Sequence, residues 1–337
     1  MLTLNAARNL ARTPSGMDAG QVDEVLSLLL GGSLAVSDGA AVLAAWSERG
    51  ETGVELAAMV QALLARALPL GELGRCLDLC GTGGSGRERF NVSTTAAFVL
   101  AAAGVPVAKH GNRGSTKPNG SFDLLERLGV RFEQAPAAHG RLLQASGVCF
   151  LFARAMHPAV AAAAPYRKAA GRRTIFNLAG PLANPARPAV QLIGTVAEAT
   201  AQVIAEAMQL LGTKRALVVW GEPGIDEVSV SGRTRWLQLE AGVITPGGWH
   251  PHDPVAYERI PGGDAVANAD EFHRLLAGGG DPAVRRMVVA NATAALDLWH
   301  GRPVLADAHR LREVEHLLTS GAVAAVFTRH RDLAAAD

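Results

Sequence analysis

The hexapeptide Gly81-Thr82-Gly83-Gly84-Ser85-Gly86 constrains this chain more than any other stretch. It stands between a short apolar run, residues 76–80, broken only by Asp78, and an Ala-rich run, residues 95–103, stopped by Gly104. That order reads as a buried strand, a turn and a helix. Four of the six residues are glycine, so the backbone can take conformations closed to other residues and a ligand can come close. The hydroxyl-rich link Asn91-Val92-Ser93-Thr94-Thr95 then opens the helix. A helix amino terminus presents unpaired N–H groups and a positive dipole end, and phosphate is its natural guest. The pattern matches neither G-x-x-x-x-G-K-[ST] nor a convincing G-x-G-x-x-G, so by itself it leaves a ligand-free glycine connection equally open.

The 337 residues suffice for one large or two modest domains with buried cores. The 32 basic and 31 acidic residues leave a net charge of +1, which argues against nucleic acid as a partner. Three cysteines, Cys76, Cys80 and Cys149, are too few for a disulfide framework and have no matching Cys/His pair for a metal site, so they read as reduced core thiols. No apolar run reaches membrane-spanning length, and the amino terminus lacks the apolar core of a secretory signal; the expectation is a soluble, cytoplasmic protein.

From residue 18 to 68 the sequence reads as helices: an apolar stripe of Val22, Val25, Leu26, Leu28 and Leu29, then segments capped by Ser37-Asp38 and by Thr52. Beyond Pro69-Leu70-Gly71 short β-branched runs alternate with helices. The expected strands are 75–79, 105–108, 148–152, 190–195, 216–220, 228–230, 236–240 and 242–246, which implies an α/β fold with a mostly parallel central sheet. Residues 158–188 interrupt it with an Ala-rich and then Pro-rich segment. Helices close the chain near 282–299 and 306–320, followed by a short apolar run at 322–328.

The glycine turn has company. The segments GTGGSG with FNVST, VAKHGNR, GSFDLLERLG, HPAVAAAAPYRKAAGRRTIFNLAGPLANP, GIDEVS and NATAAL follow one another in the order and at the spacing of the anthranilate phosphoribosyltransferase family, which the chain resembles from about residue 20 to near its end. The resemblance implies a small helical domain, residues 1–71 completed by about 158–188, beside a larger α/β domain, residues 72–157 and 189–337. It also implies Mg²⁺ as cofactor and transfer of phosphoribosyl from 5-phosphoribosyl 1-pyrophosphate to the amine of anthranilate, and, with the stripe Val22, Leu26 and Leu29 on a helical domain too small to bury all its apolar surface, a homodimer through that domain.

Such a transfer needs a seat for pyrophosphate, a metal to neutralise it and a nucleophile behind the anomeric carbon. The resemblance places phosphoribosyl pyrophosphate on Gly81, Thr82, Gly83, Gly84, Ser85, Arg89, Asn91, Val92, Ser93, Thr94, Lys109, Thr116 and Lys117. It places the acceptor on Gly81, His110, Asn112, His157 and Arg167, the last by bidentate capture of a carboxylate. Asp226 and Glu227, with Ser93, are the implied magnesium ligands. Read from composition alone, adjacent acids are more often plain turn residues, and Lys109 with Arg113 more often a solvated pair. Four departures from the family pattern stand out: Ser85 where Asp is usual, Arg89 where Thr is usual, Gly114-Ser115-Thr116-Lys117-Pro118-Asn119 in place of a Ser-rich segment, and Trp220 where His is frequent. They leave room for a related phosphoribosyltransferase or phosphorylase with another acceptor. A non-catalytic nucleic-acid-binding paralogue is the remaining rival, disfavoured by the near-neutral charge and the intact acid pair.

Overall fold

The structure is a computed structural model and describes residues 2–87, 89–114 and 118–336. Seven strands form one sheet: β1 Leu77–Gly81, β2 Val107–Gly111, β3 Val148–Phe152, β4 Val190–Gly194, β5 Arg215–Gly221, β6 Thr234–Glu240 and β7 Val243–Trp249. Their order is β3-β2-β1-β4-β5-β6-β7. The first five are parallel, and β6 and β7 extend the sheet antiparallel as a hairpin. Leu77 to Gly81 pair in register with Val190 to Gly194. The order turns back on itself between β1 and β4, so the carboxyl ends of these two strands bound the crevice where ligands of open α/β sheets bind. The glycine turn leaves β1 at that point.

The expected strand at 228–230 is absent; Val228 and Val230 are buried in irregular backbone that follows the Asp226-Glu227 turn. Apolar runs of three residues are ambiguous by pattern, and here the chain is needed as a loop that brings acids to the crevice. The run at 322–328 is the first half of the helix Ala322–Ala336, not an isolated segment.

Of the first four helices, Leu4–Arg12, Ala19–Leu30 and Gly53–Ala65 begin at side-chain caps, Thr3, Asp18 and Thr52, whereas Val36–Arg49 starts after Ala35 without one and takes the expected cap Ser37-Asp38 into its first turn. Thr52 and Glu55 form a reciprocal capping box, as do Asp18 and Gln21. Val22, Val25, Leu26 and Leu29 are 0–1% exposed. They join one apolar cluster with Leu43, Trp46, Met59, Ile175, Phe176, Ile204 and Met208, and with Ile193, Ala216 and Val218 of the sheet. The stripe of Val22, Leu26 and Leu29, expected from sequence to face a second subunit, therefore faces the protein's own interior. It is consumed because the helix Gly53–Ala65 and the 3-10 turn Pro158–Ala163, the latter far along the chain, pack against its helix. The other side of the sheet packs on the helices Val92–Ala102 and Pro282–His300 around Phe98, Phe122, Phe272 and Val288.

Candidate functional site

Asp226 is the residue around which the crevice is assembled. Its carboxylate Oδ2 accepts the backbone N–H of Gly83 at 2.8 Å, and Arg89 forms an ion pair with Oδ1. The approach is so close that a Cβ on Gly81 would lie 2.8 Å from Asp226 Cγ, and one on Gly194 would overlap the Asp226 main chain. Glycine at the ends of β1 and β4 is a requirement of packing around this carboxylate. Gly83 and Gly84 follow with φ of +70° and +89°, and the Thr82 N–H donates to Gly194 O at 2.8 Å. Among the described residues Ser85 Oγ accepts a long bond, 3.4 Å, from the Arg87 N–H.

Beside the turn, the helix Val92–Ala102 starts at the N-cap Asn91, three residues earlier than its apolar run suggested, so Val92, Ser93 and Thr94 make its first turn. Val92 and Thr94 are buried, and Ser93 is half-buried at the open end. Lys109 is no surface cation: it is 2% exposed, and its ammonium donates to Leu79 O at 2.5 Å and Ser93 Oγ at 3.2 Å. Its counter-charge is Asp78, which the sequence marked only as the polar break in β1. Burial raises the Asp78 carboxyl to about 6, against the pull of Lys109 and the hydrogen bond from Asn184. Asn184 Nδ2 donates to Asp78 Oδ2 at 2.9 Å and to Ala108 O at 2.8 Å. The solvated pairing of Lys109 with Arg113 is thus corrected, since Arg113 instead forks onto Glu126 at 2.7 and 2.8 Å.

Glu227 is buried, and no hydrogen bond or ion pair reaches its carboxylate among the described residues. Burial lifts it to about 7, with Arg89 and Lys109 pulling the other way. A buried carboxylate with no partner, next to one held by a single guanidinium, fits a hard divalent cation that prefers oxygen ligands. The described residues contain no cluster of three His, Cys, Asp or Glu side chains able to enclose a metal. An ion held here needs waters and substrate oxygens as well, which is how magnesium is usually bound. Ser93 Oγ is bonded to Lys109 and not to either acid.

His110 and His157 lie edge to face with ring centroids 5.4 Å apart, 4% and 6% exposed. His110 Nδ1 meets Gly180 O at 3.1 Å and His157 Nε2 meets Ala183 O at 2.8 Å, so His110 fastens the helix Ile175–Leu182 to β2 and His157 fastens its end to the segment after Met156. Burial depresses His110 to about 3, which keeps it neutral. Arg167, on the helix Ala164–Ala169, is half-buried with its guanidinium 5.2 Å from the Phe176 ring centroid and no acidic partner among the described residues. Asn112 is exposed at the end of β2, its Oδ1 accepting the Arg113 N–H at 2.8 Å. Thr116 and Lys117 lie outside the described residues.

Two site-building residues escaped the sequence. Asn268, 2% exposed on the helix Ala265–Leu276, donates to Arg89 O at 3.0 Å, Asn91 Oδ1 at 2.9 Å and Asn119 Oδ1 at 2.8 Å, tying three loops together. Its partners stand 149–179 residues away, so no local pattern could have announced it. Arg173 reaches from the re-entrant segment to Thr82 O at 3.5 Å and lies against Gly84, while Ser47 Oγ donates to the Arg173 carbonyl at 2.6 Å. Its partners Ser47 and Thr82 are 126 and 91 positions away, again beyond any local pattern.

A phosphate-type turn, a helix amino terminus, a buried lysine and two adjacent acids meeting at one switch point define a transferase acting on a phosphorylated group. A glycosyl transferase family a/b-domain model matches residues 73–324. The chain is 43% identical over 289 residues to the anthranilate phosphoribosyltransferase of Sphingopyxis alaskensis, covering 83% of this chain and 85% of the relative. It is 39% identical to that of Roseiflexus, covering 92% of each. The crystal structure of the Thermus thermophilus anthranilate phosphoribosyltransferase superposes with a TM-score of 0.89 at 36% identity, over 98% of this chain and 99% of that one. The Saccharomyces cerevisiae enzyme in complex with PRPP and Mg shares the fold with a TM-score of 0.89 at 22% identity, over 99% and 98%. The chain belongs to the anthranilate phosphoribosyltransferase family.

Proposed function

We propose that this protein transfers the phosphoribosyl group of 5-phosphoribosyl 1-pyrophosphate to the amine of anthranilate. The amine nitrogen bonds to C1 of the ribose as the C1–O bond to pyrophosphate breaks, and the amine proton passes to solvent. The products are N-(5-phosphoribosyl)anthranilate, an intermediate of tryptophan synthesis, and pyrophosphate.

In this reading the backbone N–H groups of residues 81–85 and the first turn at Asn91, Val92, Ser93 and Thr94 cradle phosphate oxygens, as helix amino termini do. Lys109 and Arg89 add positive charge where negative charge departs. Arg167 captures the acceptor's carboxylate, with Gly81, His110, Asn112 and His157 forming the walls of its seat. Asp226 and Glu227, with Ser93 alongside, would hold magnesium, which when bound neutralises the charge developing on the leaving pyrophosphate. No side chain is needed as an acid or base, because the leaving group is already a stable anion.

The observation that carries this reading is the hydrogen bond between the Gly83 N–H and Asp226, which joins the phosphate turn to the acid pair across 143 residues of chain. The test is direct: the protein is incubated with anthranilate, phosphoribosyl pyrophosphate and Mg²⁺ and the loss of anthranilate fluorescence is followed. No loss with any component order refutes the assignment.

The same reading divides the chain into a helical unit, residues 1–71 with 158–188, and an α/β unit, residues 72–157 with 189–337, the substrates meeting between them. Arg173 supports this placement by bridging the re-entrant segment to Thr82. It also takes the protein as a homodimer through the helical unit. In place of the buried stripe, support comes from partly buried Leu4, Leu10, Leu28 and Leu30 at that unit's rim and from Val36, 47% exposed. Three unpaired cysteines, two fully buried, suit a reducing cytoplasm. Among the described residues no helix is long and apolar enough to cross a membrane.

A further inference from the structure

Arg89 sits where the resembled family usually has threonine, and its guanidinium rests on the carboxylate the metal would need. Asp226 is 1% exposed on its side chain and Arg89 27%, so the pair lies at the mouth of the crevice with the acid inside and the cation reaching in. The other Asp226 oxygen is taken by the Gly83 N–H. Both oxygens are thus engaged before any ligand arrives. Arg89 is also firmly presented: its carbonyl accepts Asn119 Nδ2 at 3.0 Å and Asn268 Nδ2 at 3.0 Å. Its charge acts on Glu227 as well as on Asp226.

We propose that Arg89 is a specificity-determining residue that stands in for the divalent cation in the free protein and moves to the substrate's pyrophosphate when the metal enters with it. A metal entering the site must compete with the Arg89 guanidinium for Asp226 Oδ1, the oxygen that Gly83 does not hold. The free protein therefore excludes bare metal ions and admits the metal only with a polyanion that offers Arg89 a replacement partner of equal geometry, since guanidinium binds phosphate and carboxylate in the same bidentate fashion. The identity of the metal rests on the phosphoribosyl-transfer reading; the ion pair and its competition do not.

The probe is Mn²⁺, titrated into the substrate-free protein and followed by electron paramagnetic resonance of the free ion. Loss of one charge-assisted contact corresponds to about ten- to a hundredfold in affinity. Arg89→Thr and Arg89→Gln should bind Mn²⁺ tighter by that factor, Arg89→Lys should stay near wild type, and Arg89→Thr combined with Asp226→Asn should lose the gain. In parallel, the affinity of Arg89→Gln for phosphoribosyl pyrophosphate with Mg²⁺, by calorimetry, should fall by a similar factor. Circular dichroism melting identifies any variant that fails to fold, and Arg89→Gln, which keeps the side-chain length, decides if Arg89→Thr does. Unchanged Mn²⁺ affinity in a folded Arg89→Gln protein overturns the proposal, as does a gain that survives Asp226→Asn. Turnover of wild type with anthranilate is a separate result: if it fails while Mn²⁺ binding behaves as described, the acceptor assignment falls and the role of Arg89 stands.

Discussion

Among the described residues neither the Glu227 carboxylate nor the Arg167 guanidinium has a hydrogen-bonded or ion-paired partner, and each omission makes a prediction. Glu227→Gln keeps the shape and removes the charge. We expect turnover to fall about a hundredfold or more, with thermal stability unchanged or raised, because a buried unpaired carboxylate is costly to the fold. Near-full activity at limiting Mg²⁺ would remove Glu227 from the metal site. Arg167→Ala should raise the acceptor KM about thirtyfold, the equivalent of roughly 2 kcal/mol for a bidentate contact, while the phosphoribosyl pyrophosphate KM stays within a few-fold. Equal effects on both substrates would place Arg167 elsewhere. Lys109 differs from both, since it is already engaged: Lys109→Met strands Asp78 in the interior and should destabilise by about 3–5 kcal/mol, measured by denaturant unfolding. If instead the variant is as stable as wild type, Asp78 is held by Asn184 and the His110 N–H alone.

Among the elements, the helix Ala265–Leu276 acts on the site without lining it. Asn268→Ala leaves Arg89 O, Asn91 and Asn119 short of a donor. The expected result is a loss of about 1–3 kcal/mol in stability and a raised KM for phosphoribosyl pyrophosphate with the acceptor KM little changed. A uniform loss of folded protein with both KM values intact would reduce Asn268 to a structural tie. The C-terminal helix Ala322–Ala336 carries His330, buried against Phe98 and Phe150 and hydrogen-bonded to Ser146 at 3.0 Å. Burial lowers its folded pKa to about 4 from 6.5. The unfolded chain then binds the proton first, so the contribution is present above pH 6.5 and is lost as the pH falls towards 4. His330→Gln should flatten the stability profile in that window; an unaltered slope would mean that another group governs it.

At the scale of the whole molecule, light scattering at micromolar concentration should give the mass of a dimer, and a monomer would withdraw that assignment. What could be read from the sequence divides along a physical line. β3 falls at 148–152 in both sequence and structure, and the capping box at Thr52 starts its helix as expected, because strand runs and caps are local. The glycine turn and the acid pair were legible through their motifs. Three features were not: the stripe Val22, Leu26 and Leu29 turns inward because the helix Gly53–Ala65 and the turn Pro158–Ala163, more than a hundred positions later, cover it; Lys109 is buried because Asp78 waits on the adjoining strand; and Asn268 matters only through partners brought to it by folding. Patterns report which face is apolar or which residue is polar, and only the tertiary arrangement reports what meets it.

The distance along the chain between Gly83 and Asp226 has a consequence for how the protein is made. At about 5–20 residues per second, a ribosome extrudes the acid roughly 7–30 seconds after the turn. Throughout that interval β1 has been made with glycines shaped around a carboxylate that does not yet exist. A nascent chain halted before residue 226 would have the glycine turn and neither Asp226 nor Glu227. Only a polypeptide extended past Asp226, about two-thirds of the way along the chain, can close the crevice.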